Sequence, residues 1–410
     1  MAIKGSGSPM EAVDEYFDML IKSRFIELVR ESGEVNTLRE FIHPYKAKKA
    51  GNSTYPILSI TKDYGIVLQD EKFKKRIASV DTSSYKIVPR GLIVQGIHID
   101  ERNFGVQDLV EEGIVSPAYK LWSVNVDRAD PYVVAYAMRS DYLTDYIESK
   151  FRGSIRRREH ITDNDLLDAP ANIPSMKHQK IFLEFVKQAE KSKTICKQIF
   201  QSLDNLIKSR FIEMFGDPTN NEKQWPTKIM KDIAPSVQAN NKPMSEGNWL
   251  LNLDAIQSNS GEILFKKRVS DLELNGSIMA FSSDHVLYSK LRPYLNKVAV
   301  PDESGYGTTE LIPLLPDKSK LTRLYLAHLL RSDAFVSKFS SAVAGTKMPR
   351  VSMNVFWKFE VPIPPIDLQE DFGKFVEQID KSKFVETVEP DHPAVFQNVH
   401  GFPSFGLIST

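Results

Sequence analysis

The chain repeats itself, and that limits its folds more than any other feature. Leu20-Ile21-Lys22-Ser23-Arg24-Phe25-Ile26-Glu27 returns as Leu206-Ile207-Lys208-Ser209-Arg210-Phe211-Ile212-Glu213, an offset of 186. A second match runs at an offset of 190, aligning 161–193 with 351–383. It shares Asn164/Asn354, Ile173-Pro174/Ile363-Pro364, Gln179/Gln369, Phe182/Phe372, Phe185-Val186/Phe375-Val376 and Lys191-Ser192-Lys193/Lys381-Ser382-Lys383. Such a period is too long for a solenoid. It implies a duplicated domain.

The longest helix is expected from Met176 to about Phe215, a stretch with no Gly or Pro that Gly216-Asp217-Pro218 then stops. Apolar and small residues at spacings of four and three (Phe182, Phe185, Ala189, Ser192, Cys196, Ile199, Leu203, Leu206) read as a coiled-coil seam. Such a stripe needs a partner. The 190 offset puts Phe372, Phe375, Ile379 and Ser382 on the first half of a second seam; the 186 offset puts Met10, Val13, Phe17 and Leu20 on the other half. The two ends of the chain thus tile one copy of the central helix. A cyclic, pseudo-twofold molecule with antiparallel rods follows.

The domains expected are a helix in 1–32 completing the second rod, a globular domain at 33–173, and the central helix at 174–216. A second globular domain at 217–364, a helix at 365–387 and a loose tail at 388–410 complete the chain. Strand-like runs include Tyr55–Ile60, Gly91–Gln95, Trp249–Leu253 and His285–Tyr288, between turn signals. Each globular segment has a late helix, at Pro131–Ser149 and Leu321–Ser340. A glycine and a basic loop follow each, Gly153–Arg158 and Gly345–Arg350, and then a proline-bearing strand leads into the rod. The fold class is α+β.

Composition bounds the function. Of 410 residues, 41% are hydrophobic and 26% charged, and the formal net charge is zero. Neutrality argues against coating nucleic acid by bulk electrostatics and leaves room for local basic patches. No apolar run nears a membrane span, no signal-peptide core opens the chain, and the one cysteine excludes an internal disulfide and fits a reducing cytoplasm. There is no P-loop, no Gly-rich methyl-donor loop and no metal-spaced histidine set. Asp130-Pro131-Tyr132 reads as a helix cap with proline at the first helical position. Cys196 falls on the seam, where burial is expected.

These residues resemble the specificity subunit of Type I restriction-modification enzymes. The likeness rests on Val361-Pro362-Ile363-Pro364-Pro365 with Gln369, the helix end Leu206–Pro218, Trp225-Pro226 opening the second domain, and Tyr288-Ser289-Lys290-Leu291-Arg292-Pro293-Tyr294-Leu295-Asn296-Lys297 inside it. It covers about 10–387. The first domain's Ala171-Asn172-Ile173-Pro174-Ser175 departs from it, and so does the tail from Val388. The resemblance implies two similar α/β target-recognition domains joined by a long antiparallel two-helix coiled-coil spacer. It implies a non-catalytic reader of double-stranded DNA with a bipartite, asymmetric target. Its partners would be two modification (methyltransferase) subunits using S-adenosylmethionine and restriction (endonuclease/translocase) subunits using ATP and magnesium; this chain itself would bind no cofactor and no membrane. A two-headed coiled-coil scaffold for protein or carbohydrate is the alternative.

Candidate DNA contacts are basic side chains on loops, since Arg suits guanine edges and Lys suits phosphates. In the first domain these are Arg156, Arg157, Arg158, then Lys74, Lys75, Arg76, then Lys46, Lys48, Lys49. In the second they are Lys347, Arg350, Lys290, Arg292, Lys266, Lys267 and Arg268. The loops at 153–158 and 345–350 stand out because they match between the copies and each follows a glycine. Tyr288 and Tyr294 are expected in the core.

Overall fold

The computed structural model describes residues 9–32, 36–61, 65–72, 78, 81–97, 102–151, 162–239, 249–268, 278–341, 343–344 and 348–388. Helices and short, mainly antiparallel sheets occupy separate stretches, which makes the fold α+β. The chain divides into two compact units, Phe17–Ser192 and Met1–Tyr16 with Lys193–Thr410. No helix among the described residues is long and apolar enough to cross a membrane.

The long helices are an N-terminal one (Pro9–Ser32), a central one (Met176–Phe215) and a C-terminal one (Ile366–Val388). The central helix has 40 residues, so at 1.5 Å each it is roughly 60 Å long. Gly216 ends it in the left-handed conformation, φ 78°, donating its N–H to the Ile212 carbonyl. The last carbonyls are taken up by Lys223 Nζ on Glu213 and Trp225 Nε1 on Phe215.

In the Phe17–Ser192 unit, the N-terminal and central helices run antiparallel. The Phe25 ring packs on Phe182 at 5.0 Å, and Ser32, further on, meets His178, further back. In the other unit the C-terminal helix runs antiparallel to the central one: Phe372 packs on Phe211 at 5.5 Å and Lys383 bonds Asp204 at 2.6 Å. There Lys193 and Lys197 also pair with Asp14 of the N-terminal helix, at 3.0 and 2.7 Å.

The seam shifts register along the central helix. Ala189, Phe200 and Phe211 are buried, at an interval of eleven residues, whereas Leu206 is 47% exposed and Ile207 is buried in its place. A 3.5-residue repeat drifts on a helix of 3.6 residues per turn, and an interval of eleven follows such a helix more closely. Cys196 is half-buried.

Each unit closes its globular part with one antiparallel strand pair. Asn36–Thr37 pairs with Pro170–Ala171 in one, and Thr227–Ile229 with Glu360–Pro362 in the other. Inside the first unit a four-stranded antiparallel sheet runs in the order Ile42–Pro44, Lys120–Val124, Ile93–Gln95, Phe104–Val106. Inside the second, a four-stranded sheet (Lys267–Arg268, Trp249–Leu251, Gly305–Thr308, Ile278–Phe281) accompanies a three-stranded one (Val298–Ala299, Val286–Ser289, Leu311–Leu314). The expected strands are present: three are shorter than the apolar runs that announced them, and the fourth, Val286–Ser289, keeps its length one residue further on.

Each late helix expected from the sequence is two helices: Pro131–Met138 and Asp141–Phe151, Arg323–Arg331 and Asp333–Ser341. The break is a serine. Ser332 leaves helical geometry (ψ 143°) and its hydroxyl accepts the Phe335 N–H; Ser140 does the same for Leu143, at the long distance of 3.4 Å. Serine competes with the backbone for hydrogen bonds and so favours caps over helix interiors. Asp130 caps the Pro131–Met138 helix as expected, accepting the Tyr132 N–H.

One side chain ties each globular part to its long helix. Gln179 donates to the Pro174 and Arg128 carbonyls (2.8 and 3.1 Å) and accepts from Asp130 N–H (2.7 Å). Gln369 donates to the Pro364 and Lys320 carbonyls (2.8 and 2.9 Å) and accepts from Thr322 N–H (2.9 Å). Both are fully buried. Aromatic rings pack beside each clamp: Phe25, Tyr136 and Phe182 in one unit, and Phe211, Phe215, Tyr325 and Phe372 in the other, where His328 meets Phe211 and Phe372.

Candidate nucleic-acid interface

In the second domain the strand Val286–Ser289 is buried throughout, so it gives the chain beyond it a fixed base. As the chain leaves the strand, Lys290 N–H bonds the Glu310 carbonyl and Lys290 O accepts Val351 N–H. Leu291 bridges Arg350, and Arg292 N–H donates to Pro349 O at 2.8 Å. The backbone thereby gathers three cations, Lys290, Arg292 and Arg350, at one edge.

A single 3-10 turn, Pro293–Leu295, comes next, between two left-handed residues, Arg292 (φ 50°) and Asn296 (φ 51°). That conformation costs a non-glycine residue about 1 kcal/mol or more. The surroundings hold it. Asn296 is buried, its side-chain amide donates to Arg331 O, and its carbonyl accepts Asn259 N–H. Lys297 reaches inward to Leu253 O at 2.5 Å. Below, Arg331 donates twice to Val298 O, at 2.6 and 3.0 Å. Gly261 is required there, since its φ is +70° and a Cβ would lie 1.7 Å from that oxygen.

On the outside, Arg292 is exposed, and Tyr294 and Met348 are 54% and 49% exposed. Tyr294 is therefore not the core residue expected, because the turn points it out; Tyr288 is buried as expected. Arg350 bonds the Glu310 carboxylate through Nη2 at 2.8 Å and Nε at 3.3 Å. That guanidinium holds the Glu310 carboxyl below its ordinary range.

Lys266 belongs to a different arrangement. It bonds Asp302 at 2.6 Å and Glu303 at 2.9 Å and lies 5.2 Å above the Trp249 ring. Burial pulls its ammonium down, but the two carboxylates more than offset this and leave it above the usual lysine range. Lys267 and Arg268 are exposed on the edge strand beside Trp249–Leu251, with Arg268 3.3 Å from Glu303.

In the first domain, Lys46, Lys48 and Lys49 are all exposed, on a segment leaving the strand Ile42–Pro44. It is pinned by Ile87 N–H on Lys48 O and by the Lys49–Lys86 bridge. None of the three forms an ion pair among the described residues, whereas Arg39, Arg90, Arg102, Lys120 and Arg128 of the same domain all do. Arg156, Arg157, Arg158, Lys74, Lys75, Arg76 and Lys347 lie outside the described residues. Among those described, no His, Cys, Asp and Glu cluster could hold a metal ion.

Local sequence gives no sign of Glu310 or of the exposure of Tyr294 and Met348. The acidic residue precedes its arginine by forty positions, so only strand pairing brings them together. Asp302-Glu303 opposite Lys266 is equally invisible for the same reason.

Residues 222–389 match the family described as Type I restriction modification DNA specificity domain. Over 109 residues the chain is 28% identical to the Type I restriction enzyme EcoDI specificity subunit of Escherichia coli, covering 27% of this chain and 23% of that one. A solved structure described as the structural basis of complex assembly and conformational transition of the type I R-M system aligns over 89% of this chain and 93% of its own, with a TM-score of 0.52 and 16% identity. The HsdS subunit from Thermoanaerobacter tengcongensis aligns over 89% and 94%, with a TM-score of 0.40 and 16% identity.

Proposed function

We propose that this chain, whose residues 222–389 match the Type I restriction modification DNA specificity domain, is a non-catalytic subunit that reads a bipartite, asymmetric DNA target. Each globular domain reads one half-site, and the helices set the gap. Half-sites on one face of the duplex lie about 34 Å apart per helical turn, within reach of a helix of roughly 60 Å. Modification subunits using S-adenosylmethionine and restriction subunits using ATP and magnesium would be directed to the site so chosen.

The observation that supports this best is the pairing of like with unlike. Each unit joins its globular part to a long helix by the same buried glutamine clamp, while the cations displayed differ. Two equivalent mounts carrying unequal surfaces suit two different half-sites. The near-neutral charge agrees with weak DNA binding by the chain alone and tighter binding beside partners that bring charge.

Sequencing methylated bases in cells that carry the protein tests the reading. The expected result is a split, non-palindromic motif. Replacing Arg156, Arg157 and Arg158 by alanine is expected to change one half of it and spare the other. An unaltered methylome on deleting the protein would refute the reading and favour the scaffold alternative.

A further inference from the structure

The second domain's cations at the turn edge are not equivalent, and the difference bears on how bases are read; the inference rests on the DNA-reading function above. Arg350 is fixed. It sits on a strand, and Glu310, whose carbonyl accepts Lys290 N–H while Lys290 O accepts Val351 N–H, engages its Nε and one Nη2 hydrogen. The outer hydrogens of Nη1 and Nη2 make no bond among the described residues, and their spacing suits guanine O6 and N7. The Glu310 carboxylate also cancels most of the attraction Arg350 would offer a phosphate, since docking one there would set two anions against one guanidinium. Arg292 differs on both counts. It pairs with no acidic side chain among the described residues, and it stands exposed on a strained, anchored turn beside exposed Tyr294. Strain of this kind persists where the surroundings over-determine it, often at ligand contacts.

We propose that Arg350, aimed by Glu310, reads a base edge of the second half-site, while Arg292, with Tyr294 beside it, grips the DNA backbone irrespective of sequence. The two are presented together because Leu291 bridges Arg350 and Arg292 bonds Pro349. Arg350 is the specificity-determining residue, Glu310 a positioning residue and Arg292 an anchor.

The test measures binding of the full chain, co-purified with its partner subunits, to a duplex bearing the methylated target and to a scrambled duplex, over a range of salt. Arg350→Ala and Arg350→Lys are both expected to weaken target binding about ten- to hundredfold and leave the scrambled duplex unchanged, because lysine keeps the charge and loses the fork. Arg292→Ala is expected to weaken both duplexes alike, with the salt slope lowered by about one. Glu310→Gln keeps Arg350 in place and loosens its aim, so it should narrow the gap between target and scrambled DNA; it carries the test if Arg350→Ala does not fold. Wild-type selectivity in Arg350→Lys, equal losses on both duplexes in Arg350→Ala, or an Arg292→Ala defect confined to the target would each overturn the assignment. A wild-type complex with no preference for the target would instead refute the DNA-reading function itself.

Discussion

The two joints between globular part and long helix agree atom for atom where they hold and differ where they pack. Gln179 and Gln369 each bond the carbonyl five residues back, a carbonyl ahead of a short helix, and the N–H at or beside that helix's cap. Arg139-Ser140-Asp141 and Arg331-Ser332-Asp333 break the helix pair at the same place in both. The packing around the clamp is not shared. Tyr136 fills one site between Phe25 and Phe182; His328 fills the other against Phe211 and Phe372. Hydrogen-bond geometry tolerates no change of side chain, whereas an aromatic niche accepts any flat ring of about the right size. A joint can therefore stay fixed while its surroundings drift.

Core truncation is the harshest way to break the comparison. Phe372→Ala and Phe182→Ala each remove a fully buried ring at equivalent positions, and each is expected to cost about 3–5 kcal/mol. Denaturant unfolding of the purified chain measures it. The Phe372 variant should suffer more, since that ring meets Phe211, Phe215 and His328 where Phe182 meets Phe25 and Tyr136. Equal losses would mean that the larger aromatic cluster adds nothing.

Gln369→Ala and Gln179→Ala come next. Each orphans buried backbone groups, and a net loss of about 2–3 kcal/mol is expected for either. Near-equality is the sharper part. If one glutamine can be removed freely, the shared geometry is inherited rather than needed, and hydrogen exchange at Asp130 and Thr322 would show which clamp has opened.

The repeat made the long helices and the order of features legible, because periodicity and stop signals are local. Gln179/Gln369 was visible as a match, but its role was not, since a glutamine on a helix gives no sign of which backbone it will meet. The Arg-Ser-Asp tripeptides at 139–141 and 331–333 signal the helix break inside apolar runs that otherwise suit one continuous helix. The heptad spacing coincides with the buried positions Phe182 and Ala189 and falls one residue out of step at Leu206, where helix geometry buries Ile207 instead. At the candidate interface, local sequence found Arg292 and Arg350. Glu310 and the exposure of Tyr294 depended on strand register and on two left-handed residues, which no window of sequence contains.

The gentlest probe uses the one place where the joints differ chemically. Burial first, and then the cations Arg331 and Lys383, hold the His328 imidazole well below the ordinary histidine range. Above about pH 6.5 it is neutral folded or unfolded and contributes no pH dependence. As pH falls below that, the unfolded chain binds a proton that the folded one refuses, so stability declines toward the depressed folded value. Tyr136, pushed up to about 12 by burial, does nothing in this window. Glu262 titrates there in the opposite sense: burial raises it to about 7, so its destabilisation is relieved as pH falls. The histidine must therefore be isolated as the difference between wild type and His328→Phe, by denaturant unfolding from pH 8 to pH 5. That difference is expected to be flat above about 6.5 and to slope below it. Tyr136→His should import the same acid sensitivity into the Phe17–Ser192 unit if the two niches are alike in burial. A flat profile there would show that the niches match in shape and not in electrostatics, because burial and one cation, Arg139 near Tyr136 and Arg331 near His328, are common to both, while Lys383 acts on His328 and the carboxylates Asp18 and Asp141 act on Tyr136.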